Sequence, residues 1–558
     1  MLYTRPSMPR KAWKLWAAAG LSAGLLELPF PIAGPMPPWR GIFALFGLAP
    51  LIWAVLSPSN FALVSPRRRA FLLAYLCGVL WYAGNCYWIY DTMLIHGGLP
   101  PVVSASLLLG FSLVLGGYFG LFGWGLALAK GRLGTSWALA TAPLLWVGLD
   151  LAGARITSVP WDQLGYSQVD NVALTHLAPY TGVYGITFAL VGVNALLVGG
   201  VLLESSRARL GSAACGAVLF LITVLGLRFS EPKQPVSATA VLIQPNLDVA
   251  VANVWNSPQD WDQHIYEFMK LGEEQCKDYI AGIPQTGAVR GEIICPPYAT
   301  HPDLVAWPEA PALSFFEGDP RFRQTMSEVA KAEQSALIVG GVGVDLDSNA
   351  DRQERDYNSA MIFGSDGSRI GRYDKIHLVP YGEYIPYRDL FFFAHKLTGK
   401  LVDFSRGTER KVFHVNGHRY GVFICYESVF ADEVRQFVRF GAEALVNISD
   451  DGWYGDTSAP WQHLNMARMR AIENRRWLLR DTNNGVTAAI DPYGRVVESI
   501  PRHKVDALPA QFGFRDDVTF YTEHGDVFAW ACAILGIGLV GWCLRAGPGP
   551  RNSIQDRS

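Results

Sequence analysis

Between residues 1 and 234 the chain carries only seven carboxylates: Glu27, Asp91, Asp150, Asp162, Asp170, Glu204 and Glu231. Long apolar stretches fill the space between them, and no other feature limits the fold so strongly. A bilayer-spanning helix needs about 20 mostly apolar residues. Seven segments meet that description, at 13–33, 40–57, 70–96, 101–129, 136–154, 178–203 and 211–229, the second being short. An eighth, FAWACAILGIGLVGWCL, lies within 526–545. The first segment runs straight into further spans without a small-x-small cleavage site, so it is expected as a helix rather than a cleaved leader.

Loop charge orients these segments, because cytoplasmic loops are enriched in Lys and Arg. Arg5, Arg10, Lys11 and Lys14 precede the first span; Arg67, Arg68 and Arg69 follow the second; Lys130 and Arg132 follow the fourth. Arg207 and Arg209 follow the sixth, and Arg545 and Arg551 the eighth. The intervening loops hold Arg40, then no basic residue in HGGLPP, then Arg155. The alternation predicts both termini in the cytoplasm and the block between spans seven and eight outside it, periplasmic in a bacterial inner membrane. Glu27, Asp91 and Asp150 then fall near the outer ends of their helices. Snorkelling or local pairing, such as Asp150 with Arg155, explains them; a polar rim beneath the outer domain is the other reading.

Residues 235–522 hold nearly all the remaining acids and have the mixed polarity of a soluble domain. Strand-like SATAVLIQPNL, DLVAW, SALIVGGVGV, RYGVFI and EALVNIS alternate with helical RFRQTMSEVAKAEQ and stretches at about 430–440 and 460–476. YNSAMIFG and RIGRYDKIHL form a hairpin around SDGS. This alternation predicts an α/β layered domain. The expected organisation is therefore a seven-span membrane domain (1–234), an extracytoplasmic catalytic domain (235–522), and an eighth span with a disordered cytoplasmic tail (523–558). With 47 basic and 49 acidic residues there is no basic excess to suit nucleic acid.

GxSxG, Walker and HExxH patterns are absent, and the 11 His residues show no metal-ligand spacing, so no metal or cofactor is expected. His377 and His463 are expected as packing or loop groups. Three strand-end residues stand out instead: Glu309 in AWPEAP, Lys375 in YDKIHLVPYGEY and Cys425 in FICYES. Strand ends are where α/β folds place reactive groups. Together a carboxylate, a cation and a thiol supply a base, an oxyanion stabiliser and a nucleophile for acyl transfer. Singly, each has an ordinary structural explanation: a buried small hydrophobe for the Cys, a solvated charge for the others.

The order Glu, Lys, Cys resembles the carbon–nitrogen hydrolase (nitrilase) superfamily, which implies a nitrilase-like α-β-β-α sandwich beside the transmembrane bundle. WPEA, KIHLVPYGEYIP, CYES, DGWYGDTSAPWQH, ARMRAIEN, TNNGVTAAIDPYGR and the membrane-half motif VPWDQLGYSQ together resemble the apolipoprotein N-acyltransferase family. That resemblance implies a phospholipid acyl donor, a diacylated apolipoprotein acceptor and a thioester intermediate. It assigns Glu309 as general base, Cys425 as nucleophile, and Lys375 with the Tyr426 amide as oxyanion donors. Glu383, Tyr426 and Glu427 match further positions the family needs, Glu383 as a second carboxylate orienting Lys375 and Cys425. A functional Trp follows the first strand of the family's domain; Trp255 and Trp261 both compete for it here, Trp255 being preferred. The 275–303 segment departs from the pattern as an insertion. Trp453 and Tyr454 either line the pocket or form a packed aromatic turn. A membrane-tethered amidase shares the triad and is the alternative.

Cys276 and Cys295 lie in the insertion and are expected to pair in an oxidising compartment. Cys77, Cys86, Cys215, Cys532 and Cys543 are expected as small packing groups within spans.

Overall fold

The computed structural model describes residues 12–58, 65–249, 263–271, 301–309, 317–346, 354–380, 382–384 and 404–545. Trp255, Trp261, Cys276, Cys295, most of the 275–303 segment and the C-terminal tail lie outside the described residues.

Among the described residues six helical segments are long and apolar enough to cross a membrane: Pro38–Leu56, Pro101–Leu133, Thr135–Thr157, Val183–Leu202, Ser206–Gly226 and Val527–Arg545. Pro66–Asn85 and Trp88–His96 make a seventh candidate, bent by 51° between them. The first expected span is helical only over Ala12–Glu27, 16 residues. At 1.5 Å per residue that is about 24 Å, short of a hydrocarbon core about 30 Å thick. The sixth expected span starts later than its apolar run, because Gly182 at φ +63° separates a short turn from the helix beginning at Val183.

The tightest pair in the bundle is Pro66–Asn85 against Pro101–Leu133. A Cβ on Gly123 would sit 2.5 Å from the Ala70 carbonyl oxygen, and one on Gly116 2.7 Å from Val79. Small residues at this spacing let two backbones meet in lipid, where dispersion rather than the hydrophobic effect holds helices together. Lys130 and Arg132 end the longer helix, where cations suit its C-terminal dipole. Cys77, Cys86, Cys532 and Cys543 are buried, whereas Cys215 is exposed on Ser206–Gly226, against the expectation of packing.

The second half of the chain contains two six-stranded sheets. The first is built from β1 (Ala238–Gln244), β2 (Leu304–Trp307), β3 (Ala336–Leu346), β4 (Glu354–Phe363), β5 (Arg369–Asp374) and β12 (Asp506–Phe512), in the order β12-β1-β2-β3-β4-β5. The second is built from β6 (Val412–Val415), β7 (His418–Ile424), β8 (Ala444–Ser449), β9 (Leu478–Thr482), β10 (Thr487–Ile490) and β11 (Val496–Ile500), in the order β11-β10-β9-β8-β7-β6. In each sheet three neighbouring strands are parallel, β1-β2-β3 and β7-β8-β9. Strands β6 and β12 have no counterpart in the sequence-based reading. Both lie at sheet edges, and β12 carries Pro509, which only an edge strand tolerates readily.

Helix Pro320–Glu333 covers the first sheet. Asp319 caps its start, accepting from the Arg321 amide at 2.8 Å. Phe322, Met326, Val329 and Ala330 form its buried stripe, the spacing of a helix with one wet face. Ala431–Arg439 and Ala459–Asn474 cover the second sheet. This gives the α-β-β-α layering of a carbon–nitrogen hydrolase fold.

The second layer of helices rests on the membrane half. Trp161 Nε1 donates to Gln462 Oε1 at 2.8 Å, and Gln462 Nε2 donates to the Asn85 carbonyl at 3.0 Å. Arg470 donates to the Tyr166 hydroxyl at 3.0 Å, and the Val183 amide donates to Glu473 at 3.1 Å. Arg155 does not pair with Asp150: it reaches Asp432 in the second half and Asp526 just before the last span.

Candidate active site

Three strand ends converge where the two sheets meet. Glu309 follows β2 and Lys375 follows β5, both in the first sheet, while Cys425 follows β7 in the second. All three side chains are buried. Lys375 Nζ donates to Glu309 Oε1 at 3.0 Å and to Glu383 Oε1 at 2.9 Å. Burial alone would lower the Lys375 pKa; Glu309 and Glu383 outweigh it and hold the ammonium well above its ordinary value. Burial, then the Glu309 carboxylate, push the Cys425 thiol well up, with Lys375 pulling the other way. The thiol at rest is therefore protonated and needs a base to become a nucleophile.

Asn358, in β4, bridges the two carboxylates, donating to Glu309 Oε1 at 2.7 Å and to Glu383 Oε1 at 2.5 Å. The Asp450 amide donates to Glu309 Oε2 at 2.9 Å, and the Val379 amide to Glu383 Oε2 at 2.7 Å. Both carboxylates are thus fixed at both oxygens. Asn358 escaped the sequence reading; a polar residue inside the apolar run YNSAMIF was the available signal.

Cys425 has φ +48°, a left-handed conformation that costs a non-glycine residue about 1–3 kcal/mol. It opens a 3₁₀ turn, Cys425–Val429, and the first N–H groups of such a turn have no partner within it. The Tyr426 amide is one of these.

Glu427 is fully buried. It accepts from Tyr373 Oη at 2.8 Å and from the amides of Ile376 at 2.6 Å, His377 at 3.1 Å and Ile424 at 2.8 Å. It therefore ties the segment carrying Lys375 to the turn carrying Cys425. Burial lifts its carboxyl to about 7 against the pull of these bonds.

The Tyr426 hydroxyl donates to the Ser158 carbonyl of the membrane half at 3.4 Å, and its ring stacks with Trp161 at 6.3 Å. Tyr454 is buried among Trp88, Trp161 and His463. Trp453 is 42% exposed; its ring meets His96, and its carbonyl accepts from Thr92. His377 stacks on Phe430 at 4.2 Å. His463 is wholly buried, and its Nε2 bonds the Cys425 carbonyl at 3.0 Å. Among the described residues no three His, Cys, Asp or Glu side chains come together in a way that could hold a metal ion.

Two family models match the chain. The model of the apolipoprotein N-acyltransferase N-terminal domain matches residues 22–196, and that of carbon-nitrogen hydrolase residues 278–510. An apolipoprotein N-acyltransferase from Geobacter metallireducens is 32% identical over 536 residues, 94% of this chain and 94% of the relative. One from Pseudomonas putida is 32% identical over 520 residues, 91% of this chain and 95% of the relative. One from Azotobacter vinelandii is 31% identical over 573 residues, 99% of each.

Proposed function

The chain belongs to the apolipoprotein N-acyltransferase family, and from that membership we propose that it moves an acyl chain from a membrane phospholipid to the N-terminal amine of a diacylglyceryl-cysteine. The observation that carries the reading is the buried Glu309–Lys375–Glu383 cluster, held on the first sheet opposite a cysteine on the second.

In the first half-reaction Glu309 accepts the Cys425 proton and the thiolate attacks the ester carbonyl carbon. Lys375 and the Tyr426 amide face the oxyanion. The tetrahedral species collapses, Glu309 returns the proton to the departing lysophospholipid oxygen, and a Cys425 thioester remains. In the second half-reaction the lipoprotein amine attacks the thioester, Glu309 accepts its proton, and Cys425 leaves and is reprotonated. A neutral resting thiol suits this cycle, because proton transfer to Glu309 moves the negative charge onto sulfur as the ester is attacked.

Placing the site against a bilayer suits lipid substrates. Lifting an acyl chain into water costs about 0.8 kcal/mol per CH₂. The reading includes eight spans, with Ala12–Glu27 and its extension as the first, both termini cytoplasmic, and the domain of residues 235–522 on the periplasmic side of the inner membrane. Labelling of introduced cysteines from the two sides tests this: 65–69 and 275–303 are expected to label from opposite sides.

The test of activity uses a fluorescent phospholipid and a diacylated lipopeptide, with a triacylated peptide as the expected product. Release of fatty acid or ammonia without that product would favour a membrane-tethered amidase. The family match over residues 22–196 of the membrane half argues against that alternative.

A further inference from the structure

A buried polar cluster behind Cys425 takes no direct part in these steps. Ser449, Asp451, His463 and Arg480 are each wholly inaccessible to solvent. Arg480 Nη2 donates to both Asp451 oxygens, at 2.8 and 3.0 Å, and its Nη1 to Asn447. The Ser449 hydroxyl donates to Asp451 Oδ1 at 3.0 Å. His463 Nδ1 accepts from Arg480 Nη2 at 3.1 Å, and Arg480 is held in turn by Asp451, so the ring is pinned on that edge. Its other nitrogen, Nε2, lies 3.0 Å from the Cys425 carbonyl oxygen. A carbonyl only accepts, so Nε2 carries the proton.

The position of this bond gives it a consequence for catalysis. The Cys425 carbonyl and the Tyr426 N–H belong to one planar trans peptide, so they point in opposite directions and cannot turn independently. A hydrogen bond on the oxygen therefore fixes where the N–H points, and polarises it as a donor. The left-handed backbone of Cys425 needs such over-determination to persist.

We propose that His463, held by Asp451 and Arg480, is a positioning residue that aims the Tyr426 amide at the oxyanion by gripping the far end of the same peptide group. This rests on the reading of Cys425 as nucleophile and the Tyr426 amide as oxyanion donor. It makes residues 451, 463 and 480 part of the catalytic apparatus without touching substrate. The ring face of His463 is stacked on Trp161 of the membrane half at 6.1 Å, which closes the remaining side of the clamp.

The experiment compares His463→Phe, which keeps the ring and removes the donor, with His463→Gln, which restores an N–H at similar reach. Acylation of Cys425 in the full-length protein is followed with a p-nitrophenyl acyl ester. That donor requires an oxyanion hole but neither phospholipid nor lipoprotein, so failure of the substrate assignment is seen separately, as wild type that accepts this ester but no phospholipid. Alkylation of Cys425 by iodoacetamide passes through no oxyanion and controls for damage to the nucleophile. Loss of an oxyanion donor typically costs about 10²–10³ in rate. His463→Phe is expected to acylate about 10²-fold more slowly with an unchanged KM for the ester and alkylation within about threefold of wild type. His463→Gln is expected to recover at least about a tenth of the wild-type rate. Asp451→Asn, which loosens the ring, is expected to slow acylation by about tenfold, as removal of orienting partners commonly does. Wild-type acylation in His463→Phe or Asp451→Asn would overturn the proposal. Equal loss of acylation and alkylation, or a Gln variant no faster than Phe, would also overturn it.

Discussion

The two sheets of the catalytic half share a design but not a neighbourhood. Each sets three parallel strands among antiparallel ones, and each presents reactive residues at strand ends. The helix over the first sheet, Pro320–Glu333, is amphipathic, with Gln324, Glu328 and Lys331 in water. The helix over the second, Ala459–Asn474, is buried at 13 of its 16 positions, so it has no wet face. One of its sides packs on the sheet and another on the membrane half. Its polar residues must therefore find partners internally: Gln462 has Trp161 and Asn85, His463 has Cys425 and Arg480, and Arg470 has Tyr166 and Glu473. The first sheet supplies a charged cluster on a conventional frame. The second supplies Cys425, the proposed nucleophile, on a frame that also contacts the membrane half.

The sharpest division of labour lies between nucleophile and charge cluster. Cys425→Ala is expected to abolish transfer, and intact-mass measurement after mixing with phospholipid alone should show one hydroxylamine-labile acyl adduct in wild type and none in the variant. An adduct on another residue would move the nucleophile off the second sheet. Lys375→Ala should leave Cys425 in place but slow adduct formation by about 10²–10³ through the lost oxyanion donor, measured as a single-turnover rate. Glu309→Gln should slow the same step, because no base remains for the thiol proton.

The two outer helices should differ in what a single charge is worth. Glu473→Ala leaves Arg470 unpaired in a dry interface and should destabilise the protein by about 3–5 kcal/mol, measured as unfolding free energy in mixed micelles. Glu328→Ala on the first-sheet helix should stay within about 0.5 kcal/mol of wild type. Similar values for the two would show that helix Ala459–Asn474 is not the joint described.

A further effect concerns acid stability at the seam between the sheets. Burial, then Arg406, Arg410 and Arg155, push the His377 pKa down to about 4. A free His titrates near about 6.5, so as pH falls below that value the unfolded state takes up a proton before the folded state does. The contribution of His377 is thus fully present above pH about 6.5 and is lost on acidification towards about 4. His377→Phe should flatten the fall in thermal midpoint across that window; an unchanged slope would place the acid sensitivity elsewhere.

Glu309, Lys375 and Cys425 stand out in the sequence because each carries a reactive group just beyond a strand-like run. Asn358 does not, since Asn is unremarkable until β4 is seen to pass between two carboxylates. Nothing in the spacing of ARMRAIEN and WQH shows that Arg470, Glu473 and His463 are all buried. Asp451 and Arg480 form a wholly buried ion pair across 29 residues, and no local pattern announces it.

By itself the sequence determined the membrane-like first half, the α/β second half and the three strand-end candidates. These follow from apolar run length, strand–helix alternation and residue chemistry, all of which are local. Only the tertiary structure decided that Asn358 bridges Glu309 and Glu383, that Glu427 ties two loops from different sheets, and that a histidine 38 residues away bonds the Cys425 peptide. Those contacts depend on how two sheets and a membrane bundle face one another, a geometry set by packing many distant segments at once and not recorded in the spacing of any one of them.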